Sequence, residues 1–407
     1  MKVLYFHQHF STPQGAAGTR SYEMARRLVE RGHQVTMVCG SYGAGRTGLA
    51  GPFASGRRGG LIDGINVVEF ELPYRNRDGF LRRTSTFLKY AYRSTTLVLR
   101  HDYDLVFATS TPLTAGIPGV VATLLRRKPF VFEVRDLWPE LPRAMGVITN
   151  PLILWGMSAL EWVSYHAANA CIGLAPGIVA GIRRRGIAAD QVHLVPNGCD
   201  MDLFGESAAP PWRPDGVSQT DLMAVFAGAH GLANGLGAVL DAAAVLKSRG
   251  RKEIKLVMIG EGAMKRDLIE RARLDGLDNC IFHPPVPKTS ISGLMKAADA
   301  GLMVLANVPA FYYGTSPNKF FDYIATGIPV LCNYPGWVAD LIATNKCGIS
   351  VPPGDAAAFA SALEQMSDKR GELRDMGANG RVLARREFDR SLLADRFVTV
   401  LENALEK

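Results

Sequence analysis

Residues 315–319, Thr-Ser-Pro-Asn-Lys, bring a hydroxyl, an amide and an ammonium group to the start of a predicted helix. Ser316 is a suitable N-cap, the proline after it fits the first turn, and Gly327 fits the C-terminal exit. The first turn of a helix also presents unpaired backbone N–H groups and the positive end of the helix dipole. The stretch is therefore either an ordinary capped helix or an anion site that uses Ser316, Asn318 and Lys319.

A second polar cluster follows an apolar strand in the segment FVFEVRDLWPE, residues 130–140. The charged residues on either side of Trp138 there are Glu133, Arg135, Asp136 and Glu140. Charges at the end of a buried strand are costly unless they are paired or used. An ion pair of Arg135 that serves only stability is one interpretation. The position at the C-terminal end of the strand favours the other, a polar cluster that faces a sugar or acceptor.

Glycine loops precede two of the predicted helices. In GAAGTR, residues 15–20, Gly15 and Gly18 allow a close approach to a phosphate, and Arg20 follows them. Tight packing of strand against helix explains the same glycines equally well. Neither this loop nor GEGAMK, residues 260–265, matches G-x-G-x-x-G, and no G-x-x-x-x-G-K-[ST] motif occurs, which argues against a nicotinamide-dependent enzyme.

Two Asp-x-Asp triplets, at 102–104 and 200–202, could hold a divalent metal on a nucleotide diphosphate. The first precedes a buried strand and the second opens a linker, where aspartates commonly form turns. The six cysteines include no C-x-x-C pair, which argues against a zinc site or a disulfide framework. We expect no metal site, and we expect most cysteines in the core.

Strand-like and helix-like segments alternate, and the pattern restarts in the middle of the chain. The first β-loop-α-β unit consists of the strand MKVLYFHQHF, a glycine loop, the helix SYEMARRLVERG and the strand HQVTMVCG. The second unit repeats this order with the strand LMAVFAG, the loop AHGLANG, the helix LGAVLDAAAVLKSRG and the strand IKLVMIG. Such alternation predicts two parallel, doubly wound α/β domains. The predicted parts are an N-terminal domain over 1–195, a linker over 196–218, a C-terminal domain over 219–380 and a terminal helix over 381–407.

The composition is that of a globular protein, with 47% hydrophobic and 21% charged residues. No apolar run approaches the ~20 residues that span a bilayer, and the N-terminus is too short and polar for a signal peptide, so we expect a cytoplasmic protein. The net charge of +8 favours phosphates, nucleic acid or an anionic membrane without choosing among them.

Residues 74–100 concentrate positive charge against a single acidic residue, Asp78. The cations are Arg75, Arg77, Arg82, Arg83, Lys89, Arg93 and Arg100, and the interleaved rings are Tyr74, Phe80, Phe87, Tyr90 and Tyr92. Basic and aromatic residues mixed on a helix suit an anionic membrane surface, with rings at headgroup level and cations on phosphates. Nucleic acid and a merely solvated helix face are the alternatives, and we favour the membrane over nucleic acid.

Four stretches together resemble the family-four retaining glycosyltransferases of the GT-B fold. They are the strand, glycine loop and helix of the opening, VPNGCDMDLF at 195–204, the segment 256–287, and FFDYIATGIPVL at 320–331. The similarity covers most of the chain, and the order and spacing of the motifs are hard to match by chance. It implies two facing Rossmann-like domains, a terminal helix that packs toward the N-terminal domain, and a substrate cleft between the domains.

Within this family the chain is most similar to bacterial O-antigen and capsule enzymes. Those enzymes transfer N-acetyl-L-fucosamine or a similar amino sugar from UDP to a polyprenyl-linked acceptor. The resemblance implies that Val286 in the loop 283–288 contacts the uracil, that Gly260 and Gly262 line the nucleotide pocket, and that Asp322 binds the ribose. The residues implied to approach the diphosphate or sugar from the N-terminal domain are Gly15, Gly18 and Arg20.

The chain departs from the family pattern in its charged residues. Gly314 takes the first position of the usual E-x7-E pair, and Asp322 takes the second. Where the family often has an arginine and a Lys-Gly, this chain has His230 and Asn234. Lys319 therefore becomes the leading source of positive charge for a diphosphate.

A further departure concerns the polar cluster of the first domain, where Arg135-Asp136 replaces a His-Asp pair of the family. The resemblance implies front-face attack, in which the departing phosphate takes the proton of the acceptor hydroxyl. Lys319 and the N–H groups at 316–319 would stabilise the leaving group. The candidates for catalysis are Lys319, Glu133, Arg135 and Asp136.

The predicted function is retaining, metal-independent transfer from a UDP-sugar to a polyprenyl-diphosphate-linked saccharide in O-antigen or capsule synthesis. The enzyme would be peripheral on the inner face of the plasma membrane and would need no cofactor besides its donor substrate. A UDP-sugar epimerase of similar two-domain shape and a non-catalytic UDP-sugar-binding protein remain alternatives.

Overall fold

The computed structural model describes residues 1–15, 18–43, 45–74, 78–204 and 209–406, without the side chains of Phe80, Lys288 and Thr289. Arg75 and Arg77 of the basic segment lie outside the described residues. The chain divides into two compact units. Unit 1 comprises Met1–Pro196, Gly314–Ser316 and Ser391–Lys407, and unit 2 comprises Asn197–Tyr313 and Pro317–Arg390.

The strands of unit 1 are β1 (Lys2–Phe6), β2 (Gln34–Tyr42), β3 (Arg57–Ile62), β4 (Ile65–Tyr74), β5 (Leu105–Thr109), β6 (Phe130–Val134), β7 (Ala170–Gly173) and β8 (Val192–Leu194). Over the described residues they form one sheet in the order β3-β4-β2-β1-β5-β6-β7-β8. The sheet is parallel except for the hairpin of β3 and β4, whose turn residues Asp63 and Gly64 both have positive φ, as a type I′ turn requires. β5 and β6 are buried along their whole length, as expected of strands covered on both faces.

The helices joining these strands are α1 (Arg20–Glu30), α2 (Phe80–Arg100), α3 (Ile117–Arg126), α4 (Glu140–Ala144), α5 (Pro151–Ala167) and α6 (Pro176–Arg184). α2, α3, α5 and α6 each connect strands in one direction across the sheet, whereas α1 connects β1 to β2 in the opposite direction. Right-handed crossovers therefore place α2, α3, α5 and α6 together on one face of the sheet and α1 on the other.

The strands of unit 2 are β9 (Leu222–Ala227), β10 (Ile254–Ile259), β11 (Cys280–His283), β12 (Ala300–Met303), β13 (Val330–Cys332) and β14 (Gly348–Ser350). They form a parallel sheet in the order β11-β10-β9-β12-β13-β14, the doubly wound order that reverses beside the first strand. The helices are α7 (Met201–Phe204), α8 (Gly237–Ser248), α9 (Lys265–Leu274), α10 (Lys288–Ala297), α11 (Pro309–Gly314), α12 (Asn318–Thr326), α13 (Trp337–Asn345), α14 (Ala356–Asp368) and α15 (Arg370–Glu387).

The last helix, α16 (Arg390–Glu406), is assigned to unit 1 from Ser391 onward. The ring of Phe397 lies 4.9 Å from that of Phe107, measured between centroids, and Arg27 of α1 pairs with Asp395 at 2.7 Å. The segment 381–407 thus contains the end of α15 and all of α16. In the segment 196–218, Trp212 donates its indole N–H to the carbonyl of Ser290 at 2.8 Å, within unit 2.

Both units are α/β domains with largely parallel, doubly wound sheets, which confirms the predicted fold class. Five of the six cysteines are buried, as predicted for core residues. Within the ranges described, no helix has the length and apolar character needed to cross a membrane.

Candidate functional site

The strand order of unit 2 reverses between β9 and β12, which are neighbours in the sheet. Open α/β sheets bind ligands at such a reversal, outside the C-terminal ends of the strands. The loop that begins at Gly228 follows β9, and α12 begins shortly after β12 and α11. Lys319, on the first turn of α12, reaches this position.

The Lys319 ammonium is held between a hydrogen-bond acceptor and an aromatic ring. Nζ donates to Oδ1 of Asn234 at 3.1 Å and lies 4.7 Å from the centroid of Phe226 at the end of β9. Burial lowers the pKa of Lys319 to about 8, although the charge of Asp322 acts in the opposite direction. The result is a partly dehydrated cation at the strand-order reversal.

Asn234 is oriented by the loop in which it lies. Its Nδ2 donates to the carbonyl of Ala229 at 2.7 Å, which directs Oδ1 toward Lys319. Gly235 follows with a φ of +55°, and a Cβ there would lie 2.6 Å from Cα of Ala306. The loop after β9 therefore packs directly on the segment after β12.

Gly260 and Gly262 bring the loop after β10 against the loop after β9. A Cβ on Gly260 would overlap the carbonyl of Gly228, and one on Gly262 would lie 2.8 Å from the backbone nitrogen of His230. The N–H of His230 also donates to the carbonyl of Glu261 at 2.8 Å. The two glycines thus fix a continuous backbone surface at the ends of β9 and β10.

The side chain of His230 supports this surface from inside. The residue is fully buried, with its ring 6.1 Å from that of Phe226 and 6.3 Å from that of Phe282, centroid to centroid. Burial and the charge of Lys265 lower its pKa, so the imidazole is neutral at pH 7. Any contact of His230 with a ligand at this surface would use its backbone.

Lys265 is a further cation of this region that sequence reasoning missed. Its Nζ donates to the carbonyl of Gly260 at 2.8 Å, to Oε1 of Glu261 at 2.9 Å and to the carbonyl of His283 at 3.2 Å. The ammonium therefore joins the C-terminal ends of β10 and β11. The sequence signal that could have identified Lys265 was its position five residues after Gly260, a predicted residue of the nucleotide pocket.

The start of α12 corrects one prediction. Pro317, rather than Ser316, is the N-cap, because the N–H of Phe320 donates to the carbonyl of Pro317 at 3.1 Å and the helix begins at Asn318. A proline offers no side-chain acceptor to the first N–H groups of the helix. The predicted exit at Gly327 is confirmed by a left-handed C-cap with φ +79°.

The remaining predicted residues of unit 2 lie near this helix start or at the end of β11. Asn318 is exposed and Asp322 is half-buried one turn after Lys319, whereas Ser316, which belongs to unit 1, is half-buried. Val286 is half-buried in the loop after β11.

In unit 1, the predicted cluster after β6 is organised around a buried ion pair. Glu133 has no exposed surface and pairs with Arg20 at 2.8 Å, while its other oxygen accepts from the hydroxyl of Thr109 at 2.9 Å. Burial alone would raise the pKa of Glu133, but the charges of Arg20 and Arg135 lower it. Arg20 also donates to the carbonyls of Val195 and Pro196 at 2.8 and 2.6 Å, so it connects α1, β6 and the segment after β8.

Arg135 and Asp136 lie at the accessible side of this ion pair. Arg135 is 3.4 Å from Glu133, and its Nη1 lies 3.4 Å from Nε2 of His7. Burial raises the pKa of Asp136, against the opposing charge of Arg135. His7, directly after β1, joins the cluster although sequence reasoning did not select it, and its position after a buried strand was the same signal that identified Arg135.

Gly15 and Gly18 precede α1. The N–H of Gly15 donates to the carbonyl of Thr12 at 3.1 Å, and Gly18 is exposed two residues before the helix. Ala16 and Ala17, between them, lie outside the described residues.

Each Asp-x-Asp triplet has an aspartate that pairs with a cation of the protein. Asp102 pairs with Lys2 at 2.6 Å, and Asp200 pairs with Arg390 at 3.1 Å. In the part of the chain that the structure describes, no three His, Cys, Asp or Glu side chains are arranged to hold a metal ion.

Residues 80–100 of the basic segment form α2, and Tyr74 at the start of the segment is the last residue of β4. Tyr74 and Tyr90 are buried and Phe87 is half-buried, whereas Tyr92 is 73% exposed. The expected positioning of all these rings at headgroup level is therefore wrong for Tyr74 and Tyr90. Arg82 and Lys89 are exposed.

Comparison with known proteins identifies two domain families in the chain. Residues 15–198 match the glycosyl transferase 4-like domain, and residues 212–383 match the glycosyl transferases group 1 domain. The chain is 26% identical over 226 residues to the D-inositol 3-phosphate glycosyltransferase of Xylanimonas cellulosilytica, an alignment that covers 50% of each chain. The chain thus spans about half the length of this curated relative.

Two solved structures share the architecture over nearly the whole chain. Sucrose-phosphate synthase from Thermosynechococcus elongatus has a TM-score of 0.78 and 17% identity, covering 100% of this chain and 99% of its own. HepE from Anabaena, solved in complex with UDP-glucose, has a TM-score of 0.69 and 16% identity, covering 99% of this chain and 100% of its own.

The fold and the domain matches together define the class of this protein. It carries the two α/β domains of the GT-B glycosyltransferases, a 4-like domain followed by a group 1 domain.

Proposed function

We propose that the protein is a retaining glycosyltransferase that moves a sugar, such as N-acetyl-L-fucosamine, from UDP to a polyprenyl-diphosphate-linked saccharide in O-antigen or capsule synthesis. The observation that carries the proposal is the cation of Lys319 at the strand-order reversal of unit 2. The domain matches and the UDP-glucose complex of the structural relative HepE support a nucleotide-sugar donor.

In this proposal the donor diphosphate lies beside the start of α12. Lys319, Asn234 and the N–H groups of the first turn would face it, and fixed dipoles with an ammonium stabilise developing negative charge. Asp322, one turn later, would bind the ribose.

The loops after β10 and β11 complete the proposed donor site. Gly260 and Gly262 would line the nucleotide pocket, and Val286 would lie by the uracil. Lys265 holds these loops together through the contacts described above, so it acts as a positioning residue.

The group-transfer step breaks the bond between the anomeric carbon and the phosphate oxygen and leaves a negative charge on the β-phosphate. The acceptor hydroxyl attacks the anomeric carbon from the same face, and its proton passes to the departing phosphate. Lys319 would stabilise the leaving group, because the pKa of about 8 leaves it mostly protonated at pH 7.

On the unit 1 side, Arg135 and Asp136 are the proposed contacts to the sugar or acceptor. Asp136 is half-buried and makes no side-chain hydrogen bond to any residue that the structure describes, and burial raises its pKa. The Arg20–Glu133 ion pair holds the strand end that carries them, and Gly15 and Gly18 would approach the donor through their backbone. The enzyme would work at the inner face of the plasma membrane, with the cations of α2 toward anionic lipid.

The experiment is turnover of Lys319→Ala with UDP-sugars and a lipid-linked acceptor. We expect at least a ~100-fold loss of turnover, as found when a group that stabilises an oxyanion is removed. Lys252→Ala is the matched control, since Lys252 is an exposed lysine of unit 2 away from the site.

Near-normal turnover of Lys319→Ala would overturn the role of Lys319. Sugar conversion without an acceptor would instead identify an epimerase. Binding of UDP-sugar with no release of UDP under any acceptor condition would identify a non-catalytic binding protein.

A further inference from the structure

Helix α5 of unit 1 exposes large apolar side chains. Leu152 is 78% exposed, Trp155 is 74% exposed and Trp162 is 49% exposed, although the opposite side of the helix is buried through Ser164 and Tyr165. Large apolar side chains exposed together on one side of a helix are typical of a surface that has a second apolar environment available.

The exposed apolar surface continues onto α3. The hydroxyl of Thr123 on α3 donates to the carbonyl of Ala167 at 3.1 Å, which places the C-terminal turns of α3 and α5 side by side. Leu124 and Leu125 follow directly on α3 and are each 68% exposed. We call Leu124, Leu125, Leu152, Trp155 and Trp162 the α3–α5 apolar face.

Positive charge borders this face. Arg126, after the exposed leucines, donates to the carbonyl of Leu99 at 2.6 Å and so joins the C-terminal ends of α3 and α2. Arg100 and Arg127 are exposed at the same end. The described helices α2, α3 and α5 contain a single acidic residue, Glu161, which is buried and pairs with Arg185 at 2.6 Å.

We propose that the α3–α5 apolar face inserts into the headgroup and acyl boundary of an anionic phospholipid bilayer, with the cations of α2 and α3 on lipid phosphates. The proposal deepens the membrane part of the proposed function, which assigned the contact to the charges of α2 alone. Insertion of tryptophan and leucine adds an apolar contribution that does not depend on salt.

The composition of the surface favours a bilayer as its occupant. Tryptophan is enriched where a membrane meets water, and arginine beside it matches the negative surface of anionic lipid.

The test is flotation of the full chain with vesicles of phosphatidylcholine and phosphatidylglycerol. We expect Trp155→Ser/Trp162→Ser to lower the partition coefficient by at least ~10-fold, because two large apolar groups are lost. Leu274→Ser is the matched control, since Leu274 is 69% exposed in unit 2. Vesicles with brominated lipid should also quench the fluorescence of the wild type more than that of Trp155→Phe/Trp162→Phe.

A second variant separates the apolar contribution from the electrostatic one. Arg82→Glu/Arg83→Glu/Lys89→Glu should weaken binding to anionic vesicles at low salt while brominated lipid still quenches the bound fraction. Unchanged flotation of the double serine variant would overturn the insertion.

Self-association is the other outcome that would overturn the proposal. If the wild type is a dimer in light scattering without lipid and the double serine variant is a monomer, the face binds a second copy of the chain. These measurements use neither donor nor acceptor, so their failure and that of the transferase proposal are distinguishable.

Discussion

The protonation of Lys319 depends on the groups that surround its ammonium. The neighbouring ring of Phe226 and the burial of the ammonium remove water from it, and Asn234 supplies a neutral acceptor. A bound diphosphate would replace the lost hydration with negative charge, which favours the ammonium form. Ligand binding at this position should therefore be coupled to proton uptake.

This coupling predicts a pH dependence. The pKa of Lys319 in the free protein is lowered to about 8, so the ammonium is present below that pH and is lost above it. We expect kcat/KM for the donor to fall as pH rises through about 8, since this ratio reports groups of the free enzyme.

Lys319→Arg provides the control for this pH profile. Its guanidinium stays charged throughout, so the alkaline fall attributed to Lys319 should disappear even if the overall rate is lower. An unchanged alkaline limb in this variant would assign the titration to another group.

Arg20 illustrates a different use of charge, because its partner Glu133 is completely buried. We expect Arg20→Met to destabilise unit 1 by roughly 3 kcal/mol, since it removes the closer of the two guanidinium groups that compensate the buried Glu133 carboxylate and leaves only Arg135 at 3.4 Å. Urea unfolding would measure the change.

Arg26→Met on the same helix is the matched control. Arg26 and Glu30 form an exposed pair at 2.9 Å, and such pairs contribute below about 0.5 kcal/mol. Equal losses of stability in the two variants would show that the buried ion pair stabilises unit 1 no more than the exposed pair does.

At the scale of elements, the site depends on how closely the loops after β9 and β10 pack. Gly262→Ala would place a methyl group 2.8 Å from the backbone nitrogen of His230, so the loops must separate. We expect a loss of about 1–3 kcal/mol of stability and a weaker affinity for UDP, measured by calorimetry.

Gly231→Ala tests whether this effect is local. Gly231 lies in the same region, but a Cβ there meets no atom within 4 Å, and its φ of −108° suits alanine. If both variants lose similar amounts of stability and UDP affinity, the cause is the reduced flexibility of the loops rather than the lost contact between them.

The elements themselves were largely predictable because alternation of strand and helix patterns depends on local sequence. The α/β fold and the return of the pattern in the second half followed from that alternation. The exit of α12 at Gly327 followed from the preference for glycine just after a helix. The N-cap at Pro317 did not, because hydrogen bonding of the first turn decides it rather than residue preference.

The contacts of the site were harder to predict than its elements. The pairing of Arg20 with Glu133 spans 113 residues, and that of Lys319 with Asn234 spans 85. Helical periodicity gives no information about contacts between residues so far apart in sequence. The inward direction of Tyr90 was equally hard to predict, because it depends on the position of α2 on its sheet.

For the whole molecule, the division of the chain into two compact units predicts that a ligand of one unit need not stabilise the other. We expect UDP at 100 times its Kd to stabilise unit 2 by about 2.7 kcal/mol and to raise the Tm of its transition by several degrees. Differential scanning calorimetry would measure both transitions.

GDP and the Lys319→Ala variant are the controls for this stabilisation. We expect UDP to raise the temperature of the unit 2 transition. GDP should raise it less, and UDP should raise it less again in the Lys319→Ala variant. A shift confined to the transition of unit 1 would relocate the nucleotide site.

The assignment of α16 to unit 1 has a consequence for biosynthesis. Phe397 covers Tyr5 and Phe107, which belong to β1 and β5, the two middle strands of the sheet of unit 1. During translation the apolar patch on those strands stays uncovered until α16, which follows unit 2 in the chain, has been made. Unit 1 can therefore complete its core only after α16 has left the ribosome.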